Sequence, residues 1–95
     1  MSLNAYRDEV GEFLKAIDPK DTDSAAKILE MLDEEFAELK KSLDNRNSLS
    51  HQVYDVLFLL FELAAKKRLD IDTQWILGRE DKRKYVKATE QIIKP

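Results

Sequence analysis

The stretch Val53-Tyr54-Asp55-Val56-Leu57-Phe58-Leu59-Leu60-Phe61-Glu62-Leu63-Ala64-Ala65 decides the fold class. Every residue in it except Asp55 and Glu62 is apolar or tyrosine. A helix apolar nearly all round is normally buried on several sides. The surrounding composition favours helix as well: Ala, Leu, Glu and Lys dominate, β-branched residues are sparse, and the chain has 2 Gly and 2 Pro. In a chain of 95 residues three further helices can hardly cover such a segment completely. Part of its surface is therefore expected to lie against a second subunit.

Working outward, this helix is expected from a cap at Ser48 to about Leu69. On its N-terminal side, Asp44-Asn45-Arg46-Asn47 is a polar break of turn-forming residues. Before the break, Ala25, Ile28, Leu29, Leu32, Phe36, Leu39 and Leu43 recur at helical spacing. That helix starts near Asp21-Thr22-Asp23-Ser24, where several side chains can cap it. The short break predicts that the two helices pack as an antiparallel hairpin. A first helix runs from about Ala5 to Ile17 on the stripe Tyr6, Val10, Phe13, Leu14 and Ile17, and Asp18-Pro19 stops it. A fourth segment follows Asp70-Ile71-Asp72, with Asp72 as candidate cap and Gly78 as a candidate interruption. Its apolar contacts are Trp75, Ile76, Tyr85, Val86, Ile92 and Ile93. The reading is one all-α domain over residues 1–95: a four-helix bundle-like protomer around a central antiparallel helix hairpin, assembled as a homo-oligomer.

Composition removes several classes of function. The net charge of −3 gives no general attraction to nucleic acid. With no cysteine there is neither a disulfide nor a thiolate zinc site. Met1-Ser2-Leu3-Asn4 lacks the basic and apolar regions of a signal peptide. The longest apolar stretch, Val56 to Phe61, is far too short to cross a membrane. A soluble cytoplasmic protein is expected. Two glycines cannot build a Gly-rich phosphate loop, and no Ser/His/Asp or Cys/His arrangement is present. His51 is the only histidine and reads as an ordinary first-turn residue.

Two acidic constellations remain. Glu34-Glu35-Phe36-Ala37-Glu38 places Glu35 and Glu38 about a turn apart at the edge of the apolar stripe. Like charges at this spacing gain little unless a cation sits between them, and hard oxygen ligands suit Mg²⁺ or Mn²⁺. Alone, an acidic helix face is ordinarily solvated surface. Asp55 carries more information, because a carboxylate in an apolar helix needs a cation, a hydrogen-bond partner or a water-filled cleft. Pairing with a cation such as Lys66 is the structural alternative. Gln52 lies one turn before Asp55 on the same face, and Glu62 two turns after it. The hairpin brings Glu38 and Asp55 to about the same height, so two acidic rungs face one cleft, as in bundle proteins that build carboxylate metal sites. A basic cluster, Arg79, Lys82, Arg83, Lys84 and Lys87, is placed to meet a polyphosphate, although each residue alone reads as solvated surface. Lys66, Lys67 and Arg68 complement the dipole at the end of the third helix. Trp75 is a candidate to stack on a base, or a core residue.

Taken together, Glu34-Glu35-x-x-Glu38, a spacer, and x-x-Asp55 opening a Val-Leu-Phe-rich helix that ends in Leu69-Asp70-Ile71-Asp72 resembles the MazG-like nucleoside triphosphate pyrophosphohydrolases of the all-α NTP pyrophosphatase superfamily. The resemblance spans roughly Ser24 to Val86. The family signature, Glu-Glu-x-x-Glu followed by Glu-x-x-Asp, falls on Glu34, Glu35, Glu38 and Asp55, whereas its remaining glutamate falls on Gln52. A glutamine oxygen can ligate Mg²⁺ but adds no charge. The resemblance implies hydrolysis between the α- and β-phosphates of a (deoxy)nucleoside triphosphate, a homodimer or dimer of dimers, and a role in nucleotide-pool house-cleaning. It implies Mg²⁺ on Glu35, Glu38 and Asp55, with Gln52 as a weak or water-mediated ligand. Glu34 would serve a second ion or the attacking water, and Arg79 to Lys87 would contact phosphate. Two other readings stand beside it: a non-catalytic nucleotide- or metal-binding relative, and a helical interaction module with a merely solubilising acidic face.

Overall fold

The computed structural model describes the backbone of residues 2–93 and the side chains of residues 2–86. It is all helical, in the order α1 (Leu3–Ile17), α2 (Ala25–Lys41), α3 (Arg46–Lys67) and α4 (Ile71–Ile93). Lys87, Ile92 and Ile93 lie outside the described side chains.

Each helix starts on a side-chain cap. Ser2 Oγ accepts from the Ala5 N–H at 3.0 Å, and Ser24 Oγ accepts from the Lys27 N–H at 3.1 Å. The cap of α3 is Asn45, whose Oδ1 accepts from the Ser48 N–H at 3.0 Å. Ser48, the expected cap, therefore lies inside the first turn, and the helix begins earlier than its apolar run. α3 ends at Lys67 with Arg68 in the left-handed region (φ 52°, ψ 47°), which lets the Leu69 N–H donate back to the Ala64 carbonyl at 2.9 Å.

The entry to α4 differs from expectation. Asp70 caps it, accepting from the Thr73 N–H at 3.1 Å and from the Thr73 hydroxyl at 2.6 Å. Asp72 instead caps α1, accepting from the Leu3 N–H at 2.8 Å. In return, Asn4 Oδ1 accepts from the Ile71 N–H at 2.8 Å. Two helix N-termini thus satisfy each other's free N–H groups across 67 residues or more of sequence. Gly78 does not interrupt α4, which runs through it; one glycine costs a helix only about 1 kcal/mol.

α3 is the centre of the packing, with α1 and α2 laid against it. Ile28 and Leu32 of α2 form the core with Leu59 of α3, with Met31, Val56 and Leu63 around them. α1 contributes Val10, and its rings meet those of α3: Phe13 crosses Phe58 edge-on at 6.0 Å, and Tyr6 lies 5.9 Å from Phe61. α4 packs principally against α1, and every residue from Thr73 to Val86 is exposed. The radius of gyration, 16.8 Å, exceeds the roughly 12 Å of a compact domain of this length. No helix among the described residues is long and apolar enough to cross a membrane.

Candidate functional site

The α2–α3 packing sets the level of the acidic rungs. One turn along α2 from Leu32 stands Glu35, and one turn back along α3 from Leu59 stands Asp55. The two carboxylates therefore occupy about the same height on the hairpin, with Gln52 a turn nearer the connection. Glu35, Gln52 and Asp55 are half-buried, whereas Glu34 and Glu38 are exposed. Glu38 Oε1 lies 3.3 Å from Lys41 Nζ. Asp55 Oδ2 lies 3.2 Å from His51 Nε2. His51, read from sequence as an ordinary first-turn residue, is thus the neighbour of Asp55, and Lys66 is not: its ammonium reaches Asp21 at 2.7 Å. Gln52 Oε1 is buried and accepts no hydrogen bond. Among the described residues of one chain, no three carboxylate or imidazole groups converge to hold a metal ion.

The basic residues stand elsewhere. Arg79 and Lys82 are exposed on α4, Arg83 is 3.1 Å from Glu80, and Lys84 is 3.1 Å from Asp81. Trp75 is 63% exposed, so it is not a core residue of this chain. Because α4 packs principally against α1, it is not laid along the acidic hairpin.

A second polar site was not singled out from the sequence. A cleft of about 810 Å³ opens between α1, the α1–α2 connection and the C-terminal half of α3. Its floor holds Glu62, the buried charged residue of the described core, with 5% of its surface exposed. Burial, then the nearby charge of Asp23, a hydrogen bond with the Asp23 carboxyl and the charge of Asp18 push the Glu62 carboxyl above its ordinary range; Lys66 opposes them. Asp18 is held below the usual carboxylate range chiefly by the Thr22 N–H at 3.0 Å, then by the Thr22 hydroxyl at 2.7 Å and the Asp23 N–H at 3.1 Å. The Lys66 ammonium is pushed up by its hydrogen bond to Asp21. Asp21 itself sits at φ 52°, a conformation aspartate tolerates better than most residues. The signal for Glu62 was present in sequence, since it is the other carboxylate in the apolar run. What was missing was its partner Asp23, which read only as a helix cap.

None of Glu34, Glu35, Glu38, Gln52 or Asp55 lines this cleft. No protein-family model matches the chain, and no curated protein or solved structure matches it either.

Proposed function

We propose that the protein is a Mg²⁺-dependent nucleoside triphosphate pyrophosphohydrolase, working as a homo-oligomer in cytoplasmic nucleotide-pool house-cleaning. The observation that carries this reading is the single level of the hairpin at which half-buried Glu35 and Asp55 stand near Gln52, whose buried Oε1 has no donor. A buried acceptor without a donor is costly unless water or a cation serves it. The donor set is entirely hard oxygen, the chemistry that fits Mg²⁺ or Mn²⁺. Glu35 and Asp55 would hold the ion, with Gln52 as a neutral or water-mediated ligand, and Glu38 would join them only by leaving Lys41 and moving from where it stands. When bound, the ion supplies charge neutralisation at the phosphates and a more acidic water. Glu34 accepts the proton of the attacking water as general base, or serves a second ion. Water adds, the bond between the α- and β-phosphates breaks, and the monophosphate and pyrophosphate leave. Arg79, Lys82 and Arg83 of a partner subunit offset phosphate charge as the bond breaks, and Trp75 stacks on the base.

The test is pyrophosphate release over a panel of NTPs and dNTPs with Mg²⁺. Release that requires the ion is expected, and its absence with every nucleotide, using folded protein, overturns the reading. Full activity in Glu38→Gln would overturn the site assignment alone.

Two observations favour other readings. Neutral Gln52 and the lack of three converging ligands in one chain favour a non-catalytic nucleotide- or metal-binding relative. Binding without turnover, with activity gained in Gln52→Glu, would support it. The exposed apolar surface of α3 and α4 favours a helical interaction module. That reading predicts no rise in melting temperature with Mg²⁺ and nucleotide, whereas a ligand of the folded state must raise it.

A further inference from the structure

The connection between α1 and α2, Asp18 to Ser24, forms one wall of the polar cleft. Asp18 and Asp23 are its half-buried residues, and the rest, Pro19 included, are exposed. Asp18 folds the segment on itself, accepting from the Thr22 N–H, the Thr22 hydroxyl and the Asp23 N–H. The folded segment is fastened to α3 by two polar contacts. Asp21 meets the Lys66 ammonium at 2.7 Å, and the Asp23 carboxyl is hydrogen-bonded with that of Glu62. The helices on either side have apolar holds of their own. Tyr6 and Phe13 of α1 meet Phe61 and Phe58, and Ile28 and Leu32 of α2 pack on Leu59. The connection can therefore leave α3 without the bundle coming apart.

Charge decides whether it stays. From the connection, Asp23 and Asp18 face Glu62. On α3 the nearby cation is Lys66, whose ammonium Asp21 takes. From α2, Lys27 Nζ lies 3.3 Å from Asp23 Oδ1. The α1 wall of the cleft pairs its own charges, Arg7 with Asp8 at 2.8 Å and Lys15 with Glu12 at 2.9 Å. Arg68, at the exposed end of α3, completes the cations lining the cleft. A neutral Glu62 bonds to Asp23 and needs no cation. An ionised one is a buried anion set against two others, which is costly until water reaches it. The easiest route for water is through the connection, because moving it breaks two polar contacts, whereas unfolding breaks the core.

We infer that the α1–α2 connection is a pH-sensitive latch: it closes on α3 over a neutral Glu62, and ionisation of Glu62 against Asp23 and Asp18 releases it and opens the cleft while the helices stay packed. The latch holds none of the residues assigned to the metal site, so it stands or falls independently of the hydrolase reading.

The experiment measures one distance against pH. The chain has no cysteine, so Lys20→Cys on the connection and Lys67→Cys on α3, both at exposed positions, carry a pair of spin labels on the full chain. One narrow distance is expected near the ordinary glutamate range. Above it a longer, broader population should appear, its ratio to the closed form rising about tenfold per pH unit until Glu62 ionises in the closed form too. The far-UV helix signal should hold over the same range. Glu62→Gln, which cannot ionise, should stay closed at every pH. Asp23→Asn, which removes the facing anion and can donate to an ionised Glu62, should suppress the opening. Carbon-13 NMR of the wild-type Glu62 carboxyl, expected to titrate together with the distance, keeps the test decisive if Glu62→Gln fails to fold. A distance indifferent to pH overturns the inference. So does an equal response in Glu62→Gln, a Glu62 carboxyl that titrates apart from the distance, or a helix signal lost along with the closed form.

Discussion

Asp55 and Glu62 sit on one helix, seven residues apart, each a carboxylate set into an apolar run. Their surroundings divide them. Asp55 is half-buried on the hairpin side, beside exposed His51. Glu62 is buried under the α1–α2 connection, where Asp23 and Asp18 face it and burial pushes its carboxyl up. A half-exposed carboxylate at the edge of a hairpin is accessible to a cation or a substrate. A buried one that faces other carboxylates is pushed toward its neutral form, and its partners are the groups packed around it. The contrast teaches that a charge in an apolar helix marks a position under constraint, while the groups packed above it decide the chemistry.

The comparison breaks most visibly at Asp55. If the hydrolase reading is right, Asp55→Asn should lower pyrophosphate release by roughly 100-fold or more, the scale of losing one key charge-stabilising group. Its melting temperature should hardly move, because a half-exposed polar substitution usually changes stability by no more than about 0.5 kcal/mol. A smaller effect of the opposite character is expected at Glu62. Glu62→Leu should stabilise the fold at pH 7 by about 1 kcal/mol, since replacing a buried ionisable group by an apolar one is often favourable. Denaturant titration reads this directly, and a loss of stability would mean that the Asp23 bond outweighs burial.

The pH dependence sharpens the same contrast. Glu62 has a raised carboxyl in the folded state, so folding retains a proton that the unfolded chain releases. Its contribution to stability is fully present below the ordinary glutamate range and is lost as pH rises through the folded value. Asp70 runs the other way: held at about 2, first by the Thr73 hydroxyl and then by Asn4, it contributes stability above the ordinary aspartate range that is lost as pH falls toward 2. Wild-type stability should therefore fall on the alkaline side of the glutamate range, and Glu62→Leu should flatten that limb while leaving the acid limb. Smaller again, Asn4→Ala should cost about 1 kcal/mol, the usual value of a helix cap. The smallest effect is expected at His51→Ala, under about 0.5 kcal/mol, because exposed pairs contribute little.

Much of this protein is legible along the chain. The four helices and the hairpin follow from periodicity, turn residues and caps, all of which act within a few residues of sequence. That α3 is too apolar for three neighbours to cover also followed from its composition, and Tyr54, Leu57 and Leu60 do remain exposed. The short connection between α2 and α3 predicted acidic rungs facing each other, but it put Glu38 level with Asp55, whereas the packing of Leu32 on Leu59 sets Glu35 at that level and Glu38 a turn nearer the connection. Other features needed the folded chain. Asp72 caps α1 and not its own helix, Lys66 reaches Asp21 and not Asp55, and Glu62 finds Asp23. Each of these joins residues far apart in sequence, and the choice among equally suitable partners is made by packing. Local propensity can place a carboxylate on a helix face, but burial and its neighbours decide whether it keeps its charge.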